Sequence, residues 1–183
     1  MKRLMLGLML WSVSIVPVLA GTIDGVKDIL LQDRLGNEVA IGQIEFTPLN
    51  STDSQFRVRL DHSLFKDYFL SMKEMKCLEG PELWCAIPYP YKQPRTVSLT
   101  NLRWLEHDLL FMFKKLDSFG ANFWNGIYYR LEIEPEQIVG KAHALDLNML
   151  ASPPDDMSSP PIGELDIDEP DLDQRWLPFI VIR

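Results

Sequence analysis

Residues 124–147 read WNGIYYRLEIEPEQIVGKAHALDL, and the pattern of this stretch decides the fold. Ile127, Tyr129, Leu131 and Ile133 alternate with Tyr128, Arg130, Glu132 and Glu134, the period of two expected of a strand with one apolar and one solvated face. Pro135 has no N–H for a ladder and its ring holds φ, so a turn is predicted over 134–137. The second arm places Ile138, Gly140, Ala142 and Ala144 on one side and Val139, Lys141, His143, Leu145 and Leu147 on the other. Its small-residue side suits close packing against a neighbouring element. Trp124-Asn125-Gly126 reads as the turn entering this hairpin, with Trp124 covering the core.

Outward from the hairpin, short apolar runs alternate with turn chemistry. Paired strands are predicted over 26–49, joined through Arg34-Leu35-Gly36-Asn37. A third follows over 55–60, where Phe56, Val58 and Leu60 alternate with Arg57 and Arg59. Asp61 is positioned to cap a short helix in which Leu64, Phe65, Tyr68, Phe69 and Met72 fall at helical spacing. The prolines of 87–94 exclude a central strand and fit an extended crossing over the surface. Asn101 caps a predicted helix over 102–115, with Leu102, Leu105, Leu109, Met112 and Phe113 on one face. Trp104, His107 and Phe111 fall towards its other side, and Lys114 and Lys115 sit where the helix dipole favours cations.

Segment 152–174 changes character. It holds Pro153, Pro154, Pro160, Pro161 and Pro170 together with eight carboxylates, a composition that favours a long loop lying over the domain. The apolar run WLPFIVI at 176–182 then reads as a terminal strand returning to the sheet. The predicted fold class is α+β, mainly β: a single domain over 21–183 with a curled antiparallel sheet, barrel-like or sandwich, and one or two helices.

Residues 1–20 carry the pattern of a secretory signal peptide: Lys2 and Arg3, an apolar run from Leu4 to Leu19, and small side chains at Val18 and Ala20. Cleavage is expected after Ala20, and the run, interrupted by Ser12, Ser14 and Pro17, falls short of the roughly 20 apolar residues of a membrane span. The chain has a formal net charge of −8. Loss of Lys2 and Arg3 with the leader leaves 16 basic side chains against 26 acidic ones, a net charge of −10. Such a chain repels phosphate backbones, so nucleic acid is not expected as a partner; no second long apolar stretch follows the leader, so membrane insertion is not expected once it is cleaved. In an exported chain the two cysteines, Cys77 and Cys85, are expected to form a disulfide around Gly80-Pro81, and the location that follows is periplasmic or secreted.

No nucleophile elbow, phosphate-binding loop or zinc-protease motif is present, and no cofactor is called for. The best catalytic candidates are Glu106, His107 and Asp108, with solvated, ion-paired Glu106 as the ordinary expectation and a buried general acid as the sharper one. Tyr89, Tyr91 and Trp124 are the ligand-binding candidates. Spacing brings no metal set together: a zinc site from His107 and His143 and a calcium site from Asp166, Asp168, Asp171 and Asp173 are weighed against plain solvated side chains, and no metal is expected.

Three functions follow. The first is a non-catalytic exported binding or interaction protein that uses the mouth of the sheet or the acidic loop. The second is a carboxylate-dependent hydrolase of an envelope polymer, with Glu106 as acid. The third is a carrier of a small apolar ligand inside a barrel. The expected partner is accordingly a protein or a small apolar ligand.

Overall fold

A computed structural model describes residues 22–70, 74–169 and 172–183. The predicted leader with its expected cleavage site, Met72 and Asp171 lie outside the described residues. In chain order the strands are β1 (Gly25–Gln32), β2 (Glu38–Pro48), β3 (Asp53–Leu60), β4 (Lys66–Phe69), β5 (Glu74–Glu79), β6 (Leu83–Ala86) and β7 (Thr96–Ser98). Helix α1 (Arg103–Asp108) precedes β8 (Phe111–Lys114), β9 (Gly126–Ile133), β10 (Ile138–Leu145), β11 (Ile167–Asp168) and β12 (Phe179–Ile182). All pair antiparallel in one sheet ordered β4-β5-β6-β8-β9-β10-β12-β1-β2-β3-β7, with β11 on the end of β10. The fold is α+β, mainly β.

The decisive hairpin forms as β9 and β10, paired from Ile133↔Ile138 to Gly126↔Leu145, and its turn closes with Glu134 N–H donating to Gln137 O at 2.8 Å. Gly140 is needed there: a Cβ would lie 2.7 Å from side-chain carbons of Leu131 and Ile180. The strand β12 inserts between β1 and β10, so the first and last described strands lie side by side in the middle of the sheet. This pairing makes the segment before it a return crossing and not a tail.

The sheet is neither a closed barrel nor a two-sheet sandwich. It is a single sheet that curls but stays open between its ends, β4 and β7. Two features produce the curl. A bulge at Ile41-Gly42 shifts the β1–β2 register, and Gly42 comes so near β3 that a Cβ would stand 2.2 Å from Arg59 O. Helix α1 then packs against both β9 and β7, strands six places apart in the order, which a flat sheet does not allow. The enclosed core is continuous and centres on Trp84, Phe111 and Tyr129, whose rings lie 6.1 Å apart pairwise.

Both predicted helices are shorter than the apolar spacing implied. Asp61 does cap, accepting Ser63 N–H at 3.0 Å, but only over a single 3₁₀ turn, and Lys66–Phe69 is strand β4. The helix expected over 102–115 ends at Asp108, and Phe111–Lys114 is strand β8, held between β6 and β9. An apolar run such as 109–113 satisfies either period, and the strand edges waiting on both sides decide it. Asn101 still acts at the start of α1, where its Oδ1 accepts Arg103 N–H at 3.1 Å.

Three side chains differ from the hairpin pattern. Tyr128, expected on the solvated face, is buried beneath α1; Ile133, expected to be covered, is exposed at the hairpin end; and Trp124 is 70% exposed instead of covering the core. The disulfide forms between Cys77 and Cys85, which face each other directly across β5 and β6. Of the Pro/Asp-rich segment, the described part lies over the domain, with Ile162 buried and β11 paired to β10. Among the described residues, no helix is long and apolar enough to cross a membrane.

Candidate functional site

Helix α1 carries four polar side chains in succession or one turn apart, and they tie it to three other parts of the chain: Arg103 and His107 to the Pro/Asp-rich segment, Glu106 to β9 and Asp108 to the stretch before β7. Arg103 reaches over the Pro/Asp-rich segment, its Nη2 donating to Pro160 O at 2.8 Å and to Ile162 O at 2.5 Å. His107, fully buried, lies with Nδ1 2.7 Å from Arg103 O, while Nε2 accepts Ile162 N–H at 3.2 Å. These partners place the single proton of the neutral imidazole on Nδ1. Burial pushes His107 down to about 4, and the edges of Tyr89, Trp104 and Tyr128 pack around it.

Glu106 is not the solvated, ion-paired group expected of a helix surface. It is 5% exposed, accepts the Tyr128 hydroxyl on one oxygen and Leu131 N–H on the other at 2.7 Å. Burial raises its pKa, against the pull of those two donors and of Arg103 and Arg130. Asp108 turns the other way, to Gln93 Nε2 and to Arg95 Nε at 3.5 Å, and burial lifts it to about 6. The three adjacent candidates therefore point into three environments and form no proton relay.

Between α1, β9 and the Pro/Asp-rich segment lies a cleft of about 480 Å³, walled by Arg103, Glu106, Tyr128, Arg130 and Glu164. Arg130 pairs with Glu164 at 2.6 Å across it. A second cavity, about 500 Å³ and mainly apolar, is lined by Met75, Ile87, Pro88, Phe123, Leu147 and Leu150. Tyr89 and Tyr91 stand behind this groove: Tyr89 is packed among the rings beside α1, and Tyr91 donates its hydroxyl to Leu150 O at 2.7 Å. Ile87, Pro88 and Pro90 of the same extended segment supply the wall itself. Trp124 lies exposed outside it.

His107 and His143 are not brought together: His143 stands half-buried on the outer face of β10, its pKa lowered by burial against a hydrogen bond to the Asp168 backbone. Of the acidic set, Asp166 accepts Gly163 N–H at 2.7 Å, and Asp173 pairs with Arg34. Among the described residues, no three His, Cys, Asp or Glu side chains are grouped to hold a metal ion.

Sequence reasoning did not reach a second buried polar cluster. Glu82, 8% exposed, accepts Arg175 at 2.8 Å, Trp176 N–H at 3.0 Å and Trp84 Nε1 at 3.3 Å. Arg175 also lies 3.7 Å over the Phe113 ring. Nothing in the local pattern announces a pair separated by more than ninety residues. Fold and site together define an open, curled antiparallel sheet whose short helix clamps a returning acidic segment. No family model, curated protein or solved structure matches the chain.

Proposed function

We propose that this chain is an exported binding protein that acts without catalysis and receives an apolar part of its partner in the groove beside Ile87 and Leu150. The observation that carries this reading is the groove itself: about 500 Å³, within the range of ligand sites, with walls from Met75, Ile87, Pro88, Phe123, Leu147 and Leu150. Two features support export: the leader pattern of residues 1–20, and a disulfide of the kind that persists in oxidising compartments. The filled interior of the sheet, with Trp84, Phe111 and Tyr129 at its centre, favours a surface groove over an internal ligand cavity.

The test uses protein purified after export and a neutral apolar fluorophore, N-phenylnaphthylamine, titrated to saturation. Ala151 is exposed and lines the groove, so Ala151→Trp fills it without disturbing the core. Saturable binding that weakens at least about 10-fold in the variant supports the reading. Absence of saturable binding, or equal binding by both proteins, overturns it.

A hydrolase is the second reading, because Glu106 and Glu164 both line the 480 Å³ cleft and burial raises the Glu106 pKa. Turnover of an envelope polymer that is lost in Glu106→Gln with the fold retained would favour it.

A further inference from the structure

On the outer face of β2 and β3, in a chain where acidic side chains outnumber basic ones by eight, three arginines line one pocket. Arg57 and Arg59 alternate along the exposed face of β3, and Arg95 joins them from the segment leading into β7. The pocket holds about 250 Å³, and Glu45 is the only carboxylate residue among those lining it. Glu45 stands directly opposite Arg57 in the β2–β3 ladder, yet its carboxylate goes diagonally to Arg59 at 2.8 Å. Arg57 is thus left facing the pocket with no ion pair among the described residues.

Arg95 adds a second, independent observation. Its φ of 54° is the one left-handed backbone among the described residues other than glycine, a conformation that costs an L-residue about 1 kcal/mol or more. Its carbonyl is pinned by Phe56 N–H at 2.9 Å, and its guanidinium, 57% exposed, touches Asp108 only through Nε at 3.5 Å. The strained backbone holds an arginine, where glycine or asparagine would relieve it, at the position that completes the pocket.

We propose that Arg57, Arg59 and Arg95 form a binding site for a tetrahedral oxyanion, a phosphate or sulfate ester. Three forked donors, two from β3 and one from the segment before β7, match the three terminal oxygens of such a group; a planar carboxylate satisfies one fork, or two at most. Glu45 acts as the internal competitor, neutralising Arg59 until the ligand arrives. Thr47 and Gln55 line the same pocket and offer uncharged donors to the ester's remaining atoms. The site lies apart from the apolar groove, sharing no lining residue with it, so the two readings stand or fall separately.

The experiment follows the arginine Nε–Hε signals by NMR during titration with inorganic phosphate at constant ionic strength, with sodium chloride as the control salt. Saturable shifts of Arg57, Arg59 and Arg95 are expected, with a dissociation constant on the order of millimolar for the bare ion. Arg57→Ala weakens binding about 10-fold, by loss of a charge-assisted contact. Glu45→Gln tightens it about 3-fold or more, a change that a purely structural Glu45–Arg59 pair does not produce. A parallel arm measures sedimentation with phosphatidylcholine vesicles with and without phosphatidic acid. Arg57-dependent binding to the phosphatidic acid vesicles alone supports the site and assigns a lipid-borne ester; a response to inorganic phosphate without vesicle binding supports it and assigns a soluble one. Shifts reproduced by chloride, affinity unchanged in Glu45→Gln, or no response in either arm overturns the proposal.

Discussion

Glu106 Oε1 accepts the backbone N–H of Leu131 at 2.7 Å, at the point on β9 where strand partners run out. Strand β8 pairs with β9 only at Ile127 and Gly126, so among the described residues no strand pairs with that edge of β9 beyond Ile127. A carboxylate on α1 replaces the missing carbonyl, and its second oxygen holds the Tyr128 hydroxyl. The side chain that resembles a general acid is the one that closes the sheet edge against the helix.

Replacing Glu106 therefore tests structure before chemistry. Glu106→Ala leaves a buried N–H and a buried hydroxyl without an acceptor, and a loss of about 2–4 kcal/mol is expected in urea unfolding. Glu106→Gln keeps one carbonyl acceptor and should lose less than half as much. Equal losses in the two variants would contradict the edge-closing role.

The pH dependence of stability should contain two opposed slopes. His107 falls from 6.5 to about 4 in the folded chain, so the unfolded chain takes up a proton that the native state refuses, and stability rises with pH across that window. Asp108 rises from 3.8 to about 6, so the native state keeps a proton the unfolded chain has released, and stability falls as pH rises through 4–6. Each contribution is at most about 3 kcal/mol. Relative to wild type, Asp108→Asn should gain stability between pH 4 and 6 and His107→Gln should lose it, as measured by unfolding at a series of pH values.

Gly80 and Trp176 should show strong coupling. A Cβ at position 80 would lie 2.4 Å from the indole ring, so Gly80→Ala is expected to cost about 1–3 kcal/mol by displacing the ring. In a Trp176→Ala background the same change should be nearly neutral. A double-mutant cycle reads the difference directly.

Removal of the disulfide, by Cys77→Ser with Cys85→Ser, should cost about 2–3 kcal/mol because the loop it closes is short. Both cysteines are fully buried, so dithiothreitol should reduce the folded protein slowly and the rate should climb with denaturant. Rapid reduction in buffer alone would show that the β5–β6 hairpin opens locally.

Much of the sheet was legible because its strands carry their own signal. The alternation in 127–133, the turn at Pro135 and the paired strands over 26–49 depend on residues a few positions apart, and the structure places β1, β2, β9 and β10 there. The apolar runs at 64–69 and 109–113 carried no such signal, since each satisfies a helical spacing and a strand alike. Their outcome depended on open edges supplied by β5, β6 and β9, which lie elsewhere in the chain.

The candidate site divides the same way. Glu106, His107 and Asp108 stood out as a cluster, but adjacency along a helix directs neighbouring side chains apart, and only the tertiary partners Leu131, Ile162 and Gln93 show what each one does. Arg95, Glu82 and Arg175 gave no warning at all. The sequence by itself determined the strand-rich class, the cysteine pairing and the positions of the turns, because periodicity and turn chemistry are local properties. Tertiary structure alone decided the curl of the sheet, the length of α1 and the convergence of three arginines, because burial and long-range pairing arise only when distant segments share one space.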